Sequence, residues 1–305
     1  MKIFHSLNKS APTPLPCAVT IGNFDGLHRG HQALIKRLKE KAPKTALITF
    51  SNNPSTILSP EKELCSIYTK RQKRRLLESM RIDYLYDIPF TEKLSKMSPE
   101  AFLKLLRLTV PLTCLLLGYN AVIGRNREGC RENLEKISKD MQFTLEYLPP
   151  YLIEGKTVSS SAIRRLVQEG RLKEASRFLG RPYSIYDCVA KGFGRGEAIG
   201  FATANLKVDG LCLPPFGVYA VEVAVKGSFY EGVANLGVAP TIRKEKSPLL
   251  EVHLIGKKER LYGEKIEVAF KSFLRKERRF ASPGELSSQI AQDIEEAKRF
   301  FASRN

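Results

Sequence analysis

Thr20-Ile21-Gly22-Asn23-Phe24-Asp25-Gly26-Leu27-His28-Arg29-Gly30-His31 leaves this chain few choices of fold. Before it, residues 18–21 are short and apolar, as a buried strand is. After it, residues 32–38 set Leu34, Ile35 and Leu38 on one helical face. Between the two, glycines let the backbone turn sharply and approach a ligand closely. The helix that follows points free amides and the positive end of its dipole into the same space. A strand, a Gly-rich turn and a helix N-terminus make an anion cradle, and phosphate is its usual occupant.

Only four histidines occur in the chain, and His28 and His31 share one His-x-Gly-His at the mouth of this cradle, where both rings can donate to phosphate oxygens. The string resembles the nucleotidylyltransferase superfamily. That resemblance implies that the histidines stabilise charge on the α-phosphate of a nucleoside triphosphate while a substrate phosphate attacks it.

At 305 residues the chain exceeds what one core usually serves, so two domains are expected. No apolar run approaches the roughly 20 residues that span a bilayer, and residues 1–16 lack the apolar segment of a signal peptide. Six cysteines without metal-type spacing point to reduced thiols and a cytoplasmic location. The net charge of +18 suits nucleic acid, an anionic membrane or anionic small molecules. The basic runs Lys70-Arg71-Gln72-Lys73-Arg74-Arg75 and Arg275-Lys276-Glu277-Arg278-Arg279 lack interleaved aromatics that stack bases. A positive field for phosphorylated substrates is the preferred reading. The partners expected are small molecules, with no nucleic acid, no membrane and at most weak self-association.

Residues 1 to about 156 alternate strand-like and helix-like segments, the pattern of an α/β layer with a mainly parallel sheet. Strands are predicted over 45–50, 84–88, 113–117 and 143–147, and helices over 70–79, 99–108 and 132–141. Ser98 caps the second of these helices. Lys156-Thr157-Val158-Ser159-Ser160-Ser161-Ala162-Ile163-Arg164 opens a further helix, whose hydroxyls satisfy free amides while Arg164 reaches toward a phosphate. Gly170 and Gly180 read as helix C-caps, and Arg181-Pro182-Tyr183 as the boundary between domains 1–181 and 182–305.

From Ser184 the texture changes to short strands with glycine turns, over 185–190, 218–226, 229–236, 249–254 and 265–270, which suggests a small closed barrel. Ser282-Pro283-Gly284-Glu285 is a capping box that opens a final helix, with Leu286, Ile290, Ile294, Ala297 and Phe301 as its core-facing stripe. Within this half, Gly192, Gly194, Gly196 and Gly200 can wrap a triphosphate with backbone amides. Thr203 and Asn205, two apart, can offer oxygens to one Mg2+. Glu251, inside an apolar strand, can take a proton from an attacking hydroxyl.

Gly200-Phe201-Ala202-Thr203-Ala204-Asn205-Leu206, Phe216-Gly217-Val218-Tyr219, Gly232-Val233-Ala234-Asn235-Leu236-Gly237, Pro240-Thr241, Glu251-Val252-His253 and Leu261-Tyr262-Gly263 occur in the order of riboflavin kinases. With the N-terminal motif, nearly the full length resembles the bacterial bifunctional riboflavin kinase/FMN adenylyltransferase (FAD synthetase) family. The resemblance implies a Rossmann-like nucleotidylyltransferase domain with a parallel sheet, followed by a small β-barrel kinase domain with a terminal helix. It implies ATP and Mg2+, phosphorylation of riboflavin to FMN in the barrel, and adenylylation of FMN to FAD with release of pyrophosphate in the first domain. His28 and His31 would be the catalytic pair of the adenylyltransferase, with Gly22, Asn23, Phe24, Asp25, Gly30, Ser159, Ser160, Ser161 and Arg164 binding ATP. Thr203 and Asn205 would hold Mg2+ and Glu251 would be the kinase base. Asn120 and the Arg-x-Glu-x-x-Phe residues Arg275, Glu277 and Phe280 would lie near flavin.

The chain departs from that family in places. The usual Gly-x-Asp-Phe-x-Phe-Gly reads Gly118-Tyr119-Asn120-Ala121-Val122-Ile123-Gly124, so two flavin-side aromatics and one acid are absent. Phe50-Ser51-Asn52-Asn53-Pro54 replaces a Phe-Asp-Pro-His-Pro-like turn. Glu197, Ala202 and Gly256-Lys257 replace an arginine, a proline and an Asp-Phe pair. Two alternatives stay open: a riboflavin kinase with a weakened adenylyltransferase half, and a basic nucleic-acid-binding module.

Overall fold

The structure is a computed structural model that describes residues 1–7, 12–59, 61, 64–190, 203–238, 247–257 and 261–303. Its backbone divides into two compact units: Met1–Ser66 with Lys73–Ser160, and Ile67–Gln72 with Ser161–Asn305.

The first unit is built on a six-stranded parallel sheet of order β1-β4-β3-β2-β5-β6, with β1 Lys2–Phe4, β2 Cys17–Ile21, β3 Lys44–Phe50, β4 Tyr84–Ile88, β5 Leu112–Gly118 and β6 Thr144–Leu148. All its pairings are parallel. A small antiparallel hairpin, β7 Leu152–Ile153 and β8 Lys156–Thr157, follows β6. The period-2 rule sends alternate residues to opposite faces. Val19, Ile48, Tyr86, Leu115 and Leu117 enter one buried cluster, while Ala18, Leu47, Leu85, Cys114 and Leu116 enter the other. Both faces are covered, so the strands read as continuous apolar runs. Helix α1, Arg29–Leu38, buries Leu34, Ile35 and Leu38 as expected, and Ser98 caps the helix Pro99–Thr109 by accepting from the Ala101 amide at 3.2 Å. The three-residue β1 was not anticipated, because so short a segment carries no periodicity.

The second unit is an antiparallel six-stranded sheet of order β10-β13-β12-β11-β14-β9. Its strands are β9 Ser184–Cys188, β10 Ala204–Lys207, β11 Gly217–Val225, β12 Ser228–Val238, β13 Pro248–Leu254 and β14 Lys265–Arg275. A bridge from Ala190 to Asn205 joins the two outer strands and nearly closes the barrel. Lys226 and Gly227, both at positive φ, make the two-residue β11–β12 turn. Strand β14 runs to Arg275 rather than ending near 270. Two irregularities in its pairing with β11 let it continue while breaking the alternation that marks a strand in sequence.

The C-terminal helix, Pro283–Ala302, is capped by Ser282, but Glu285 accepts from the Ala281 amide at 2.9 Å instead of closing the box on Ser282. Its most buried positions are Gln289, Asp293 and Ala297, and the expected Leu286 and Ile290 are only half-buried. A polar pair thus occupies the face where the apolar stripe was expected, because Asp293 meets an arginine there. No described helix is long and apolar enough to cross a membrane, and no disulfide forms among the described residues.

Where β3 and β4 begin, Asp83 accepts from Lys44 Nζ at 2.9 Å and from the Thr45 amide and hydroxyl at 3.0 and 2.9 Å. Burial alone would raise the Asp83 carboxyl, but these hydrogen bonds overcome it and hold it below the ordinary carboxylate value. A depressed folded pKa stabilises fully above the unfolded value and is lost as pH falls through the folded one. Asp83→Asn is therefore expected to cost about 1 kcal/mol near neutrality. In urea titrations at stepped pH, its deficit against the parent chain should shrink below about pH 4.

Candidate functional sites

In the first unit the chain moves from β2 to β3 on one side and later places β5 on the other. The crevice beyond the carboxyl ends of β2 and β5 is thus the topological switch point, where open α/β sheets bind ligands. The turn after β2 enters that crevice in an unusual conformation. Phe24, Gly26 and Leu27 have φ of 51°, 77° and 39°. For the two non-glycine residues this costs about 1–3 kcal/mol each. The cost is met by packing, since Phe24 and Leu27 are buried in the cluster that also holds Leu34, Ile35 and Leu38. Hydrogen bonds fix the rest: the Gly22 amide to Ile48 O at 3.0 Å, Thr49 Oγ1 to Asn23 O at 3.1 Å, and Ser160 Oγ to Asp25 O at 2.9 Å.

That turn delivers His28 to the N-cap of α1. Its Nδ1 accepts from the His31 amide at 3.3 Å, which leaves Nε2 to carry the proton of the neutral ring. The two imidazoles stack with centroids 3.6 Å apart and planes 18° from parallel, and Phe24 supports the His31 ring at 5.0 Å. Both rings thus stand at the positive end of one helix as a single rigid donor surface. Phe24, expected among the ligand-binding residues, is 1% exposed, and its ring packs against that of His31. Asp25 is likewise buried, at 6% exposure, and contributes its carbonyl to Ser160. Gly30 lies against His28 and Tyr151: a Cβ there would sit 3.2 Å from the His28 ring and 3.5 Å from Tyr151 Cβ. Tyr151 was not singled out in the sequence, where a lone aromatic after two prolines gives no signal.

Ser159 and Ser160 belong to the first unit, while Ser161 and Arg164, on the helix Ser160–Gln168, fall in the second. The loop leaving β5 carries Asn120, exposed beside the exposed Tyr119. Gly124, at φ 82°, sits so close to Pro99 that a Cβ would come within 2.6 Å of its Cδ, and Ile123 bridges to Gly129. Ile123 is buried in the sheet core and Ala121 packs against it. The positions where the family carries aromatics therefore face the core in this chain, and the exposed apolar residues of the loop are Tyr119 and Val122.

In the second unit, register brings three polar residues into one row. Asn205 on β10 is opposite Glu251 on β13, and Glu251 is opposite Asn235 on β12. Paired residues share a face, opposite to that of the apolar row Leu206–Leu250–Leu236. Asn205 is 5% exposed, its carbonyl closes the barrel by accepting from the Ala190 amide at 2.8 Å, and its Oδ1 is buried with no partner among the described residues. Thr203, exposed, immediately precedes β10. Asn235 was quoted in a motif without a role; only strand register shows it beside Glu251. Gly192, Gly194, Gly196 and Gly200 lie outside the described residues, as do Glu197 and Ala202. Arg275 is held by Asp293, Glu277 lies against Gly237, and Phe280 packs beneath Arg278.

Comparison with known proteins gives each unit a counterpart. A family model described as FAD synthetase matches residues 10–162, and one described as riboflavin kinase matches residues 179–301. Bifunctional riboflavin kinase/FMN adenylyltransferases from Escherichia coli K12 and Haemophilus influenzae are 34% and 33% identical over 99% of this chain and 98% and 100% of their own. That of Listeria monocytogenes is 31% identical over 98% and 97%. A solved structure described as a macrolide-efflux protein from Streptococcus pneumoniae is 25% identical, covers 97% of this chain and 98% of its own, and has a TM-score of 0.83.

Gly30→Ala is expected to push the His28 ring off the His31 amide, so both resonances should move together in NMR spectra of the whole chain. Gly118→Ala, where a Cβ meets nothing within 4 Å, should leave both in place.

Proposed function

The chain belongs to the bifunctional riboflavin kinase/FMN adenylyltransferase family, and on that premise we propose which of its residues carry the two reactions. Its activities are phosphorylation of riboflavin to FMN and adenylylation of FMN to FAD. The observation that carries the assignment is one constellation suited to phosphate in each unit: the stacked, helix-capping His28–His31 pair, and the Asn205–Glu251–Asn235 row with a buried oxygen that has no partner among the described residues.

In the adenylyltransferase half, a phosphate oxygen of FMN attacks the α-phosphorus of ATP and pyrophosphate leaves. His28 Nε2–H, His31 and the free amides of α1 face the charge that grows on the phosphate oxygens. Such donors, fixed before the substrate arrives, stabilise a transition state without reorganising. Gly22, Asn23 and Gly30 let the triphosphate approach the backbone, Ser159 adds a donor, and Ser160 braces the turn through Asp25 O. Asn120 lies on the flavin side of the crevice, beside Tyr119.

In the kinase half, Glu251 takes the proton of the terminal ribityl hydroxyl as that oxygen attacks the γ-phosphorus of ATP, the bond from that phosphorus to the β–γ bridging oxygen breaks, and ADP leaves. The residues present fit Mg2+: a buried carboxamide oxygen at Asn205, without a partner among the described residues, and a hydroxyl two residues earlier at Thr203 are hard neutral donors for an ion that keeps its waters and phosphates. Mg2+ bound there would neutralise phosphate charge. We place the functional boundary at Arg181–Pro182, and the setting as the cytoplasm, with small molecules as the partners and neither nucleic acid nor membrane among them.

Incubation with riboflavin, ATP and Mg2+, followed by chromatography of the flavins, should yield FMN and then FAD. FMN alone would leave a kinase with a disabled adenylyltransferase, and unchanged riboflavin would overturn the assignment. His31→Ala is expected to slow FAD formation by about 100-fold to 1,000-fold while FMN formation continues. Glu251→Gln should slow FMN formation by about 100-fold or more and spare adenylylation of supplied FMN. Equal losses in both reactions from either variant would refute the separation of sites.

A further inference from the structure

Arg275 ends β14, and each of its three guanidinium nitrogens donates a hydrogen bond. Nε and Nη2 donate to the two oxygens of Asp293 at 2.7 and 2.8 Å, and Nη1 donates to Lys276 O at 3.1 Å. Asp293 is 2% exposed on the C-terminal helix, and Gln289, one turn earlier, donates to its Oδ1 at 2.9 Å. This fork-to-fork pair is the strong, directional form of a salt bridge. It is also badly placed if packing alone were wanted, since a buried ion pair rarely stabilises more than apolar side chains of similar size.

What the pair fixes lies two residues further on. Beyond Arg275 the chain crosses to the helix cap at Ser282, and the ion pair fastens the start of that crossing to the middle of the helix it leads into. Within it, the Glu277 carboxylate lies against Gly237, where any Cβ would collide with it, and Asn235 Nδ2 points at Glu277 Oε1 from 3.5 Å. Asn235 is the residue opposite Glu251. Phe280 is held between Arg275 and Arg278, 5.8 and 4.8 Å from their guanidinium carbons. The approach of β14 to β11 is equally tight: Gly217, at φ 152°, has no room for a Cβ against the Arg275 carbonyl and the Phe273 ring.

We propose that Asp293, backed by Gln289, is a positioning residue of the kinase half, holding Arg275 so that the chain beyond it carries Glu277 to Asn235 beside Glu251. Arg275 thereby acts through structure and does not itself touch substrate. The inference rests on the kinase assignment above.

The test compares Arg275→Lys, and Arg275→Met combined with Asp293→Leu, with the parent enzyme, reading riboflavin KM, kinase kcat, adenylylation of supplied FMN, and Tm. Lysine keeps the charge but not the fork. The apolar pair is expected to restore packing, as such replacements do. A pair that serves stability alone would lower the folded fraction, and so apparent kcat, while leaving KM alone. Positioning predicts that Arg275→Lys raises riboflavin KM by about tenfold to a hundredfold with adenylylation unchanged. It also predicts that the double variant melts like the parent yet keeps the raised KM. Unchanged riboflavin KM in Arg275→Lys, or recovery of KM together with Tm in the double variant, would overturn the inference. A parent enzyme that makes no FMN would instead strike the kinase assignment.

Discussion

The adenylyltransferase half depends on two side chains sunk in the core. Phe24 and Leu27 hold positive φ only because their rings and methyls fill the cluster under α1. Relaxing either backbone would empty that volume, and interiors packed at crystal density do not yield cheaply. The strained turn is therefore rigid, and it sets His28 at the helix cap, His31 stacked on it, and Gly30 with no spare room. Catalysis of phosphoryl and nucleotidyl transfer is mainly positioning and charge stabilisation, so a rigid donor surface is the product such a turn should deliver.

The barrel meets the same demand by another route. Its polar row is assembled from three strands by register alone, so that Asn205, Glu251 and Asn235 face one way while Leu206, Leu250 and Leu236 face the other. The residue that closes the barrel through its carbonyl is the residue whose side-chain oxygen has no partner among the described residues. An unsatisfied buried acceptor is costly in a finished fold. The end of the barrel's β14 is locked to the middle of its final helix by Arg275 and Asp293, so the second unit too is most constrained beside its polar row.

Several features were legible because they repeat or stand alone. Helical spacing gave α1 its buried face, continuous apolar runs gave the parallel strands, and His-x-Gly-His between a strand and a helix marked the turn that ends in the helix cap. Others were invisible for identifiable reasons. The bulged end of β14 breaks alternation, so the strand reads as ending near Phe270. Asp293 and Gln289 look like the wet side of a helix until Arg275, far along the chain, is placed against them. The lost aromatics at 121 and 123 read as a stripped flavin face, yet Ile123 is buried and Ala121 packs on the core.

The two-part architecture and the family could be read along the chain, because they depend on local periodicity and on motifs whose spacing is their geometry. What each candidate side chain packs against was settled only by the folded chain. It packed Phe24 against His31, aligned Asn235 with Glu251, and turned Arg275 toward Asp293. Those outcomes depend on strand register, on bulges and on pairings between distant residues, and a burial preference within one segment cannot say which polar side chain will find its partner inside.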